Sequence, residues 1–550
     1  MKTLIAFVRT YKLLLGILIV AASLRFFLLG AVPVSPDWDE AALGYNAYSI
    51  LNTGRDEFGT FLPRVLRSFD DYKPPLYAYL AIPPVAAFGL SVWAVRLPAA
   101  VFGVLAVLGA YLLVFEITKR ERYPNSKVFF LSHATAFLLA ISPWHIQFSR
   151  IAFEANIGLT LTIWAAYAFL RGLSSTKWFG ASAFLFGLGF YAYHSQRVFL
   201  PILALVLFFA YKKELLLGRR RLATGIIVGV LTVLPLVPIF VSGDTWVRLS
   251  GTSVLADKTG LLMRSVAKLQ DDAVAGRPLG VVFDNRRIVF AQKLAEGYLS
   301  HFSMRWLFLT GDNDRHHAPD MGLLYLAELP VLLWGLFAVA KKGDRVSRVF
   351  LAWFLIAPIA ASPTSETPHA IRALVFLPTL QFFVATALLA WWDKVRSSRG
   401  LMWRIAGVLW IVALFANIIF YLHMYFVHMN LEYSKFWQYG YREAVQYALT
   451  NREKYSKIVV STKLEQPHMF FLFYTKYDPK AYLAEGGTAS GGFAEWRNRF
   501  DLYEFRAIGA WDKEVHDGST LYIATPKEIP YSAIHSIYYL NGEEAIRIAE

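Results

Sequence analysis

Residues 13–31, LLLGILIVAASLRFFLLGA, form an apolar run that ends at Ser35-Pro36-Asp37-Trp38-Asp39-Glu40. The run has the length a bilayer core requires, so two adjacent carboxylates stand where a membrane segment surfaces. About thirty residues on, Tyr72-Lys73-Pro74-Pro75-Leu76 adds a cation to the same loop. An acid for proton removal and a cation for an anionic leaving group thus frame one extramembrane segment. The rest of the chain reads as the apolar frame around them.

Runs of similar length recur along the 550 residues, near 94–117, 128–147, 156–171, 177–193, 197–211, 222–241, 321–340, 348–361, 372–392 and 404–427. The chain is 56% hydrophobic and 17% charged, with mean hydropathy +0.41. This pattern predicts an all-α polytopic membrane bundle of about eleven transmembrane helices. The formal charge of +15 would also suit a nucleic-acid binder, but the basic residues cluster in short loops between spans, which is a topology signal. With no cysteine, disulfides and thiolate metal sites are excluded. A cleaved signal peptide is the alternative for the first run. Its length, and the want of a small-residue cleavage site after it, favour a retained anchor.

Loop charge sets the orientation. Lys119 to Arg122, Lys212-Lys213, Arg219 to Arg221, Lys341-Lys342 and Lys394 to Arg404 fall on one side, which the positive-inside rule makes cytoplasmic, together with the N-terminus. Leu76 to Leu90 is apolar but short and carries Pro83-Pro84, so it reads as re-entrant or interfacial. Outer regions are expected at about 32–93 and 242–320. The first should hold an amphipathic helix from Asp39 to Asn52. Residues 428–550 read as a small outer-face α/β domain, set apart from a membrane domain at 1–427. Tyr441 to Leu449 is its expected helix, Lys457 to Ser461 and Thr520 to Ala524 its expected strands, and Gly486-Gly487 and Gly491-Gly492 bracket a loop.

Asp39 and Glu40 would favour a helix N-terminus for dipole reasons alone. A general base at the membrane boundary is the sharper reading, because such a carboxylate can be held within reach of an acceptor hydroxyl. The prolines after Lys73 extend the chain there. A lysine so placed either snorkels or meets a phosphate. Three short outer loops pair a histidine with an arginine: His145 with Arg150, His194 with Arg197, and His369 with Arg372. Arginine's planar fork suits phosphate, so Arg150, Arg197 and Arg372 are candidate phosphate ligands, although each would also serve at a lipid headgroup. Glu154 lies one helical turn after Arg150, as a second site acid or a salt-bridge partner. Glu328 falls in an otherwise apolar span. The stretch 298–317 supplies His301, Asp312 and Arg315 as candidate substrate contacts, and its acids and histidines allow a divalent metal, though their spacing matches no strong ligand rule. No metal ligand set is assigned.

These residues resemble the membrane glycosyltransferases of the C-fold superfamily, in particular the protein O-mannosyltransferase family and its bacterial relatives, among them the aminoarabinose transferases. Asp39-Glu40 matches the family's Asp-Glu pair, and Tyr72-Lys73-Pro74-Pro75-Leu76 its bacterial Lys-Pro-Pro-Leu. Arg96-Leu97-Pro98 and Ser149-Arg150 are similar to further family positions. Glu154 stands about one position off the acid often found there. The resemblance implies a polyprenyl-phosphate sugar donor, an acceptor hydroxyl on a lipid, glycan or protein at the outer face, and inversion of the anomeric centre. It implies Asp39 as catalytic base, Glu40 orienting it, and Lys73 and Arg150 at the donor phosphate, with no cofactor required. A hexosyl or pentosyl transferase of a bacterial plasma membrane is the expectation. A lipid or polyprenyl-sugar flippase is the alternative, disfavoured because charged groups crowd one surface and avoid the bilayer midplane.

Overall fold

A computed structural model describes residues 2–69, 71–241, 260–396, 400–489, 498–530 and 533–550, the side chains of 2–10, 240, 241 and 261 excepted. Asp70, Gly491, Gly492 and the segment 242–259 lie outside the described residues. The chain clusters into two compact units. The first comprises Met1–Ile17, Ala106–His145 and Gly158–Asn417, and the second Leu18–Leu105, Ile146–Ile157 and Ile418–Glu550.

A helix lies within each of the eleven expected spans. Among the described residues, four helices are long and apolar enough to cross a membrane: Val92–Arg120, Arg219–Ile239, Leu374–Val395 and Gly400–Glu432. The chain is therefore a multi-pass membrane protein, while the count of eleven goes beyond what helix length supports. Local breakers shorten some of the expected spans, whereas Ala155–Gly172 and Gln196–Leu216 keep 18 and 21 residues. The expected 128–147 span is cut at Ser142-Pro143, leaving Asn125–Ile141 followed by the short helix Pro143–Phe148. Within the long segment Leu374–Val395, residues 374–376 form a 3-10 turn and the α-helix starts at Thr379, after Pro378. The helix expected from 321 begins at Glu328, whose carboxylate accepts the Tyr325 N–H at 3.3 Å. This acid thus opens a helix, where its charge favours the dipole, and does not sit in mid-span.

In the first unit, Glu328–Lys342 packs on Thr379–Val395, which also packs on Asn125–Ile141. A Cβ at Gly335 would lie 1.9 Å from the Phe383 carbonyl oxygen, so only glycine allows that approach. The helices Arg219–Ile239 and Gly400–Glu432 bury 11% of their apolar windows, as lipid-facing helices do.

In the second unit, Trp38–Thr53 forms the helix expected at 39–52, but it is not amphipathic. Ten of its residues are buried, from Glu40 to Ile50. It is covered by Leu76–Phe88 on one side and by Pro467–Thr475 and Pro479–Ala484 on others, so most of its length is buried and exposure is left mainly to its two ends. The short hairpin β1 (Leu66–Ser68) and β2 (Asp71–Lys73) leads into Leu76–Phe88, a helix of 13 residues containing Pro83 and Pro84.

Residues 441–549 hold a six-stranded sheet with order β4-β5-β3-β6-β8-β7. Its strands are β3 Lys457–Ser461, β4 Arg499–Phe500, β5 Tyr503–Arg506, β6 Thr520–Ala524, β7 His535–Tyr538 and β8 Glu544–Ala549. The central β3 runs parallel to both β5 and β6. Central parallel strands are covered on both faces, which explains why Ile458-Val459-Val460 and Leu521 to Ala524 are continuously apolar. The helix Tyr441–Thr450 precedes β3.

Candidate functional site

Asp37 caps the Trp38–Thr53 helix, its side chain accepting the Glu40 N–H at 2.9 Å. That cap leaves Asp39 and Glu40 in the first turn, at the positive end of the helix dipole. The two neighbours then have different fates. Glu40 is buried, and Arg96 grips it with two parallel bonds, Nε to Oε1 at 2.8 Å and Nη2 to Oε2 at 2.7 Å. The Ala152 N–H donates a third bond to Oε1 at 2.7 Å. Arg96 donates further to the carbonyls of Leu29, Pro33 and Ser35. Glu40 is thus a fixed strut with both oxygens engaged.

Asp39 stays accessible, with 30% of its side chain exposed. It forms an ion pair with Lys73, at the end of β2, whose side chain is 12% exposed and lies over the Phe69 ring. Pro74 and Pro75 keep Lys73 extended, as expected from sequence. Burial works against the Lys73 charge, but Asp39, with Glu154 and Asp71, outweighs it and raises the ammonium above its ordinary value.

Arg150, expected at a phosphate, is wholly buried and otherwise engaged. It donates to the carbonyls of Leu24, Arg25 and Val32 and to the Tyr425 hydroxyl, with the Tyr425 and Phe426 rings packed beside it. Its guanidinium thus ties the end of the first helix, at Leu24 and Arg25, to Val32 just beyond it. Sequence reading gave Arg96 no role. Its signal was a lone arginine at the start of an outer-facing span.

Glu57 forms a separate buried acid in this unit. Asn46 Nδ2 donates to its Oε1 at 2.9 Å and Thr488 Oγ1 to its Oε2 at 2.7 Å, while Tyr482 meets Thr488 at 2.8 Å. Burial, opposed by these bonds, pushes its carboxyl up to about 7.

The remaining sequence candidates belong to the first unit. His145 is buried. His194 and Arg197 meet each other, at 3.4 Å, and Arg197 donates to the Phe190 carbonyl. Arg315 is tied to Asn313 through its backbone N–H. His369 and Asp312 come together with His316, which the motif analysis had not singled out as a ligand. Arg372 faces Glu366 at 4.0 Å. Burial lowers His301 to about 4 and drives His369 well below its usual value, with His316 and Arg372 adding to the effect on His369. Asp312 stays ionised against burial, because His316, His369 and the Ala370 N–H hold its charge.

Residues 72–239 match the family described as dolichyl-phosphate-mannose-protein mannosyltransferase. None of the curated protein sequences matches the chain significantly. Among solved structures, ArnT from Cupriavidus metallidurans bound to undecaprenyl phosphate is similar with a TM-score of 0.56 at 12% identity, covering 98% of both chains. Its apo form gives a TM-score of 0.53 at 13% identity with the same coverage. The Archaeoglobus fulgidus oligosaccharyltransferase AglB, in complex with an inhibitory peptide and a dolichol-phosphate, gives 0.50 at 13% identity, over 94% of this chain and 70% of that one. The present chain spans 64% of that archaeal enzyme in its peptide-tethered structure. The chain therefore shares the fold of these membrane transferases, and its segment 72–239 resembles the dolichyl-phosphate-mannose-protein mannosyltransferase family.

Proposed function

We propose that this protein is an inverting glycosyltransferase that moves a hexosyl or pentosyl group from a polyprenyl-phosphate donor to an acceptor hydroxyl at the outer face of a bacterial plasma membrane. The observation that carries the reading is the accessible Asp39–Lys73 ion pair on a rigid helix start. The ArnT and AglB structures hold undecaprenyl phosphate and dolichol-phosphate, which supports a lipid-phosphate donor here.

In this reading the arriving donor phosphate draws Lys73 from Asp39. The freed carboxylate takes the acceptor's O–H proton while the acceptor oxygen attacks the anomeric carbon. The bond from that carbon to the phosphate oxygen breaks, and its electron pair leaves with the polyprenyl phosphate, whose charge Lys73 neutralises. Glu40 and Arg96 hold the helix start in register. No step in this scheme requires a metal. Residues 1–427 would form the transferase domain and 428–550 the outer-face domain.

The test is transfer by the purified full chain from a polyprenyl-phosphate sugar, with wild type, Asp39→Asn and Glu40→Gln compared. Undiminished transfer in both variants removes the catalytic assignment. Transbilayer movement of the donor without any transfer points instead to a flippase.

A further inference from the structure

The loops at 311–317 and 366–370 carry a cluster that this chemistry does not use. Asp312, His316 and His369 each offer one ligand atom, and these atoms lie within 4.8 Å of one another. His316 Nδ1 is 3.2 Å, and His369 Nδ1 3.9 Å, from Asp312 Oδ2. Two ligands held tetrahedrally at about 2.1 Å from one zinc stand about 3.4 Å apart, so the two separations bracket the value an ion would impose.

Two atoms of the cluster lack hydrogen-bond partners although buried: Asp312 Oδ1 and His369 Nδ1. The His369 side chain is 9% exposed. An orphaned buried polar atom costs about 1 to 3 kcal/mol, so two in one cluster mark a place built for something else. If Asp312 merely secured its own loop, neither orphan would be explained.

The surroundings are those of a ligand set. The Ala370 N–H donates to Asp312 Oδ2 at 2.7 Å and fixes the carboxylate. The His369 backbone N–H donates to His301 Nε2 at 3.1 Å, and His301 Nδ1 in turn faces the Gly297 carbonyl at 2.7 Å. Such outer partners orient metal ligands. A cavity of about 670 Å³ adjoins the cluster and gives an ion an entry path and room for a further ligand. Glu366 lines it, 3.7 Å from His369 Nε2.

We propose that Asp312, His316 and His369 bind one divalent transition-metal ion of the zinc class. Two imidazoles and one carboxylate suit zinc or cobalt, whereas calcium and magnesium take oxygen ligands. The ion ties the 311–317 loop to the 366–370 loop, and the proposal stands whether or not the transfer reaction does.

The test uses the tag-free full chain in detergent, stripped with a chelator, loaded with zinc chloride and freed of excess. Inductively coupled plasma mass spectrometry should find about one zinc per chain. Asp312→Ala and His369→Ala should retain less than about a fifth of that, while Asp39→Asn retains it all. Cobalt loading should give a visible d–d absorption in wild type that His369→Ala lacks. Wild type holding no zinc after loading, or variants holding as much as wild type, would overturn the proposal. Should the alanine variants misfold, wild type alone decides. Chelation should lower its Tm and zinc restore it, and an unmoved Tm speaks against the site.

Discussion

Arg96 holds Glu40 through two parallel bonds of 2.8 and 2.7 Å, both side chains being almost wholly withdrawn from water. Breaking one half of such a pair leaves a buried charge alone. Arg96→Ala should therefore destabilise the protein by roughly 3 to 5 kcal/mol. Arg96→Lys should recover little, since an ammonium cannot make the forked contact. Thermal unfolding in detergent checks this. A Tm within a degree or so of wild type for Arg96→Ala would show that the pair carries no such weight.

Asp39→Asn should leave the fold intact and lower kcat by on the order of 10²- to 10⁴-fold, with the donor KM little changed. Lys73→Ala should lose roughly 2.7 to 4 kcal/mol of transition-state stabilisation, by analogy with oxyanion donors, and Lys73→Arg should lose less because charge is the main requirement. Steady-state kinetics of the three variants decides. Equal activity in Lys73→Ala and Lys73→Arg contradicts the phosphate role.

Arg150→Ala should act on stability more than on donor binding. It strips the Leu24, Arg25 and Val32 carbonyls of their donor, at a cost of about 3 kcal/mol or more. The surviving folded protein should keep its donor KM within about twofold. A large rise in donor KM at unchanged Tm would return Arg150 to the phosphate.

Glu57 predicts a pH dependence of stability. Its carboxyl is pushed up to about 7 in the folded protein, from an ordinary 4.5. Between those values the folded state binds more protons than the unfolded one, so stability falls as pH rises. The contribution is fully present below the unfolded value and gone above the folded one. Relative to Glu57→Gln, wild type should lose up to about 3 kcal/mol between pH ~5 and pH ~8. Unfolding curves for both proteins across that range check it, and a constant difference between them refutes it.

Much of this was legible because its signals are local. The 38–53 helix announces itself by its first-turn acids, Lys73 by the prolines behind it, and the central strands by short apolar runs. What escaped depends on pairings between distant segments. The helix that looked half-apolar is covered on several sides by residues 76–88 and 467–484. Arg96 and Arg150 look alike as outer arginines, and their partners within the chain, 56 positions away for Glu40 and 118 to 126 for the carbonyls, carry no local sequence signal. His316 gains its meaning from His369, in a loop that no short motif links to it.

Thr488 donates to Glu57 while its own N–H reaches the Glu57 carbonyl at 3.0 Å, so one residue near the chain's far end closes the bonding of an acid near its beginning. A change at either position leaves the other's buried polar group without its partner. A chimera that took residues 54–60 from one parent and 482–488 from another would inherit an acid without its hydroxyl. Swapping the whole tail onto a related enzyme should succeed only when that short loop travels with it.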